Sequence, residues 1–121
     1  MPHVDLELWD DIIRTNLTGT FFTAQSCIAK MLNNQVDKSG SRGVVIMLSS
    51  ICGTDGTNAG ISTYSATKGA INGMTLPMAR EVGPKGIRVV TIAPGPIKTN
   101  IHETLWKDQP EVLKKIKAIH A

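Results

Sequence analysis

Between residues 6 and 33 the apolar side chains recur at three- and four-residue intervals, at Leu8, Trp9, Ile12, Ile13, Leu17, Phe21, Ala24, Ile28, Met31 and Leu32. This is the period of one face of an α-helix, so a long helix is expected from Leu6 to about Asn33. Asp5 stands where an N-cap belongs. From Asn34 to Gly43 the residues are polar turn formers, the composition of a surface loop. Val44 to Leu48 is apolar without alternation, which fits a parallel strand covered on both faces. The same pattern predicts a strand from Ile87 to Ile92. Between the strands, Ser49 to Gly60 is a Gly, Ser, Thr and Asn loop. Ser62 is expected to cap a helix that runs to Val82 and is stopped by Gly83-Pro84.

Two faces of that second helix can be separated. Ile71, Met74, Met78 and Val82 form an apolar stripe, whereas Ala66, Ala70, Gly73 and Pro77 form a face of small residues. Pro77 cannot donate to the carbonyl of Gly73, so a kink is expected there. The order helix, strand, helix, strand, helix implies an α/β fold with a βαβ unit and its right-handed crossover. No internal repeat and no second domain shows.

Composition narrows the class. With 121 residues, 41% hydrophobic and 19% charged, the chain has the make-up of a globular domain with one modest core. The formal charge of +3 arises from 13 Lys and Arg against 10 Asp and Glu. The basic residues are scattered apart from Lys114, Lys115 and Lys117, and no stacking aromatics accompany them, so no nucleic-acid partner is expected. Cys27 and Cys52 lack the spacing of a disulfide framework or a metal site. No apolar run approaches membrane-spanning length and no signal segment shows. An intracellular, soluble location follows as an expectation, cytoplasmic or mitochondrial.

The candidate chemistry begins with Tyr64 and Lys68, which four-residue spacing places on one helix face about a turn apart. An ammonium beside a phenol favours the phenolate and suits the pair to general acid/base work. Tyr-x-x-x-Lys alone also arises by chance, as a half-exposed tyrosine and a solvated lysine. Its context makes it more specific. A buried strand ends at Leu48, and ligands of open α/β sheets sit at the carboxyl ends of strands. Ser50 then stands at the rim, where its hydroxyl can donate to a substrate carbonyl, with Ser49 as competitor. The second strand ends into Ala93-Pro94-Gly95-Pro96-Ile97-Lys98-Thr99, a rigid turn at the same rim. Gly95 permits a flat ligand to come close, and Thr99 offers a hydroxyl.

Asn16 within Asn-Leu-Thr-Gly, Leu48-Ser49-Ser50, Tyr64-Ser65-Ala66-Thr67-Lys68, Ala79-Arg80-Glu81, and Pro94-Gly95 through Thr99 occur together in an order that resembles the short-chain dehydrogenase/reductase family. The joint match spans nearly the whole chain, though such proteins are about twice as long. The resemblance implies a partial Rossmann-like doubly wound parallel sheet, its strands matching the family's fifth and sixth. It implies an oxidoreductase that interconverts a secondary alcohol and a ketone with NAD(H) or NADP(H), and that assembles as a homo-oligomer. By the same resemblance Tyr64 is the acid/base. Lys68 supports it and holds the nicotinamide ribose, Ser50 polarises the carbonyl, and Asn16 anchors a water relay. Pro94, Gly95, Ile97 and Thr99 border the nicotinamide. The segments Gly73 to Arg80 and Gly86 to Gly95 look like a branch of the family that acts on 3-hydroxyacyl or 3-oxoacyl thioesters. Ser50 and Tyr64 stand slightly farther apart than the resemblance implies, which points to a small insertion in the loop.

The chain also departs from that pattern. None of its eleven glycines forms the Gly-rich turn that binds a dinucleotide pyrophosphate between a strand and a helix. Residues 1–121 are therefore expected to be the catalytic part of one domain, lacking the N-terminal dinucleotide motif and the C-terminal strand. Leu105, Trp106, Val112, Leu113 and Ile116 are expected to form a helical cover over the site. The alternative reading is a truncated, non-catalytic remnant that serves as a binding or assembly module.

Overall fold

The computed structural model describes residues 4–55, 60–97, 99, 110, 111 and 114. The elements are α1 (Leu6–Ile12), a π-helical segment (Ile13–Thr18), α2 (Gly19–Met31), β1 (Gly43–Leu48), α3 (Ser62–Val82) and β2 (Ile87–Ile92). Single 3-10 turns cover Ile51–Gly53 and Gly83–Lys85. The helical cover expected near the end of the chain lies outside the described residues.

The first helix starts as its sequence implies, with the Asp5 carboxylate accepting from Leu8 N at 2.8 Å. It does not continue as one regular rod. Thr15, Asn16, Thr18 and Gly19 form a run of weak helix formers, and the chain widens there into the π-helical segment. The helix then ends at Met31, two residues before the expected limit. Ser62 is not a cap: it is the first residue of α3, and Ile61 precedes it without a side-chain capping bond. Pro77 is accommodated within α3, which continues past it to Val82. Pro77 and Gly73 are both exposed, so water can serve the carbonyl that the proline leaves without a donor.

The strands pair in parallel, with Gly43 opposite Ile87 and Leu48 opposite Ile92. At the start of the sheet Arg42 N donates to Gly86 O at 2.7 Å. Gly86 is required there twice over. Its φ of 79° is left-handed, and a Cβ would lie 2.7 Å from the Gly40 carbonyl oxygen. The loop before β1 is organised by Asp37, whose carboxylate accepts from Ser39 N, Ser39 Oγ and Ser41 N. These bonds hold its pKa below the ordinary carboxylate value.

Packing corrects one expectation. Ala24, Val45, Met47, Ile71, Val82, Ile87 and Val89 form a single core, with Leu17, Ile28, Met31, Met74 and Met78 packed against it. The apolar stripe of α3 is therefore buried as its spacing implies. The sheet, however, is covered on one face. Ile46, Leu48, Val90 and Ile92 point the other way and are 41–60% exposed. The physical reason is that α2 and α3 both contribute to the same core, so no described helix remains for the second face. The first helical stretch shows the same shortage. Ala24 is its one buried residue, whereas Leu6, Leu8, Trp9, Phe21 and Phe22 are exposed.

Candidate active site

Both strands end at one rim, and hydrogen bonds join their exits. Ser49 N donates to Ile92 O at 2.8 Å, and Ile51 N donates to Pro94 O at 3.1 Å. These bonds carry the parallel pairing two residues beyond the sheet. Ser50 and Pro94 are thereby fixed beside each other in height. Pro94 is half-buried, while Gly95, Ile97 and Thr99 are exposed.

The start of α3 brings Tyr64 and Lys68 to this rim. The Lys68 ammonium lies 5.6 Å from the centre of the Tyr64 ring, within the range at which a cation is attracted to an aromatic face. Lys68 Nζ also donates to Leu48 O at 2.8 Å, at the last residue of β1. Partial burial pulls the Lys68 pKa below the ordinary lysine value.

The turn after β1 holds the helix at that height. Ser49 Oγ donates to Lys68 O at 2.8 Å. Gly53 lies against the same peptide, where a Cβ would meet the Lys68 carbonyl carbon at 2.6 Å and Gly69 N at 2.7 Å. The approach is one that real Cβ atoms essentially never make. It follows that the turn Ile51–Gly53 can seat on α3 because residue 53 lacks a side chain.

The same bonds separate the two serines. The Ser49 hydrogen is committed to Lys68 O. Ser50 Oγ instead accepts from Cys52 N at 3.1 Å, which leaves its own hydrogen available to a ligand. Both serines are buried.

Asn16 reaches α3 from the π-helical segment: its Nδ2 donates to Thr67 Oγ1 at 3.3 Å. Thr67 Oγ1 in turn donates to Tyr64 O at 2.7 Å. The structure thus brings Tyr64, Lys68 and the end of β1 together, and joins Asn16 to them through a residue that sequence reasoning passed over. Gly53 was also missed. The run of β-branched and small residues after Ile13 was the available signal for the irregular helix; nothing local marks Gly53, whose partner is fifteen residues away.

The residues fit the nicotinamide-ribose end of a dinucleotide. An ammonium, a phenol and a free serine hydroxyl stand at the strand ends, beside an exposed glycine backbone. Among the described residues no group of three or more His, Cys, Asp or Glu is placed to hold a metal ion, and no helix is long and apolar enough to cross a membrane.

Comparison with known proteins finds related sequences and folds. The family model for short chain dehydrogenases matches residues 1–110. The chain is 46% identical over 100 residues to mouse (Mus musculus) 3-hydroxyacyl-CoA dehydrogenase type-2, a match that covers 83% of this chain and 38% of that protein. The chain therefore spans well under half the length of the curated relatives it matches. The crystal structure of 3-hydroxyacyl-CoA dehydrogenase type-2 from Mycobacterium avium superposes with a TM-score of 0.78 at 33% identity, covering 87% of this chain and 40% of the other. A short chain dehydrogenase from Leptospira borgpetersenii, solved with bound NAD+, gives a TM-score of 0.69 at 29% identity, covering 81% of this chain and 38% of that one.

Proposed function

We propose, on the premise that this chain belongs to the short-chain dehydrogenase family, that the complete protein interconverts a secondary alcohol and a ketone with NAD(H) or NADP(H). The observation that carries this reading is the placement of Lys68 over Tyr64 and on the Leu48 carbonyl, at the rim where both strands end. When bound, the nicotinamide supplies the hydride acceptor or donor.

In the oxidative direction Tyr64 takes the hydroxyl proton as the alcohol carbon becomes a carbonyl; in the reductive direction it returns that proton. Ser50 donates its free hydrogen to the substrate oxygen. Lys68 holds the ribose hydroxyls, while Asn16 anchors the water relay behind Lys68. Pro94, Gly95, Ile97 and Thr99 border the nicotinamide, and the exposure of Gly95 leaves room for a flat ring. The similarity to 3-hydroxyacyl-CoA dehydrogenase type-2 favours a 3-hydroxyacyl or 3-oxoacyl thioester as substrate.

The complete protein further assembles as a homo-oligomer through the first helical stretch and the small-residue face of α3. The exposure of Leu6, Trp9 and Phe22 along the first helical stretch, and of Leu76 on α3, supports this, since several exposed large apolar residues ask for cover. No nucleic acid or membrane partner is proposed.

Tyr64→Phe in the full-length protein tests the reaction. It removes one hydroxyl and should lower kcat by about 10²-fold or more. A folded Tyr64→Phe variant that kept most of its turnover would remove Tyr64 from the mechanism.

A further inference from the structure

Thr67 lies between the two residues that the proposed reaction uses most, and that reaction gives it no role. Its side chain is wholly buried, at 0% exposure, in company with Ile71 and Ile87. A hydroxyl in such a place costs stability unless its bonds are met, and a valine would fill the same volume without that cost. Both bonds are met, and they run in different directions. One goes back along α3 to Tyr64 O at 2.7 Å. The other leaves the helix for Asn16 Nδ2 at 3.3 Å.

The hydroxyl has one hydrogen, and the Tyr64 carbonyl can only accept. Thr67 therefore acts as the acceptor toward Asn16, which fixes the Asn16 amide with its nitrogen toward α3 and Oδ1 turned away. Asn16 is also held by the helix that follows it, because Thr20 Oγ1 of α2 donates to Asn16 O at 2.7 Å. The π-helical geometry places this asparagine where regular α-helical spacing would not. The result is a chain of contacts from the widened helix, through one buried hydroxyl, to the peptide of Tyr64.

We propose that Thr67 is a positioning residue: its hydroxyl sets the orientation of Asn16 relative to the Tyr64 and Lys68 pair. This rests on the reaction proposed above, in which Asn16 serves Lys68. A purely packing role would be filled equally by valine, whereas a positioning role requires the hydroxyl and acts through Asn16.

The test is a double-mutant cycle on the full-length protein, using Thr67→Val, Thr67→Ser, Asn16→Ala and the Asn16→Ala/Thr67→Val pair. Wild-type turnover is measured first with a 3-hydroxyacyl thioester and NAD+ or NADP+. Absence of turnover there overturns the reaction and this assignment with it. Given turnover, Thr67→Val should lower kcat by about tenfold or more, a barrier change of about 1.4 kcal/mol. KM should change little, and the pH–rate profile should move. Thr67→Ser should recover most of the rate, and the double variant should be no slower than Asn16→Ala alone. Should Thr67→Val prove insoluble, Thr67→Ala completes the same cycle. Thr67→Val with wild-type kcat and pH profile, a Thr67→Ser variant as slow as Thr67→Val, or additive losses in the double variant would each overturn the assignment while leaving the reaction standing.

Discussion

The peptide of Gly53 rests on the peptide of Lys68 so closely that a single added methyl group would lie 2.6 Å from the Lys68 carbonyl carbon. The neighbour is backbone rather than the end of a flexible side chain, so relief requires the turn or α3 to move. Gly53→Ala should cost about 1–3 kcal/mol of stability, the usual range for overpacking a well-fitted contact. Any movement shifts Lys68 relative to Leu48 O, and turnover should fall by more than the stability loss explains. Urea unfolding and kcat measured on the same preparation check both. A stable and fully active Gly53→Ala variant would show that the contact relaxes freely.

The two adjacent serines should differ in their effect on rate. Ser49→Ala removes a buried hydrogen bond to Lys68 O and should cost about 1 kcal/mol, with a smaller effect on rate. Ser50→Ala removes the bond that Ser50 Oγ accepts from Cys52 N and should also cost about 1 kcal/mol, but it should in addition lower kcat by about 10²-fold, the usual loss for one donor to a developing oxyanion. Thermal unfolding and steady-state kinetics of both variants separate the roles. Equal loss of rate in both would return Ser49 to candidacy.

Lys68 carries a pH dependence with a definite sign. Burial lowers its folded pKa below the ordinary lysine value of 10.5. Between the lowered value and the ordinary one, the unfolded chain binds a proton that the folded chain has released, so stability should rise with pH across that window. Below it, both states are protonated and the burial cost is borne in full. Lys68→Met has no such proton and should lack the alkaline rise. Denaturant midpoints taken from pH 7 to 11 would show the difference, and parallel profiles for the two proteins would contradict it.

The 121 residues on their own should associate and should bind no dinucleotide saturably. Ile46, Leu48, Val90 and Ile92 expose a continuous apolar sheet face, and the outer edge of β1 carries neither charge nor proline to block pairing. Ile46→Lys with Leu48→Glu should shift the sedimentation profile toward monomer at unchanged helix content. Calorimetry with NAD(H) and NADP(H) should show no saturation, because pyrophosphate recognition needs convergent backbone N–H groups at a helix N-terminus. Stoichiometric binding by a monodisperse sample would overturn this and require a phosphate site of another kind.

Much of this architecture was legible in the sequence, for local reasons. The end of α3 and the start of β2 are written in Gly83-Pro84 and in the β-branched segment from Ile87 to Ile92. The facing of Tyr64 and Lys68 follows from their four-residue spacing. What was not legible depends on partners distant in sequence. The unbroken apolar run from Val44 to Leu48 signals two covered faces, yet it does not say which layers do the covering, and α2 and α3 share one face. A period of three to four residues cannot distinguish an α-helix from six residues of π-helix, so the widening at Ile13–Thr18 left no trace in the hydrophobic pattern. Thr67 looked like one more polar position in a helix because the residue it meets, Asn16, comes from another element.

The parallel pairing of β1 with β2 also governs how the chain can fold. Every rung, from Gly43 with Ile87 to Leu48 with Ile92, joins residues that lie on opposite sides of the whole of α3. No hairpin can nucleate this sheet, and each rung must bear the loop-closure entropy of the intervening helix. α3 must therefore be at least partly formed, with Ile71 and Val82 presented toward the strands, before pairing brings a net gain. The sheet should be a late and slow event, during which both apolar strands remain available to wrong partners.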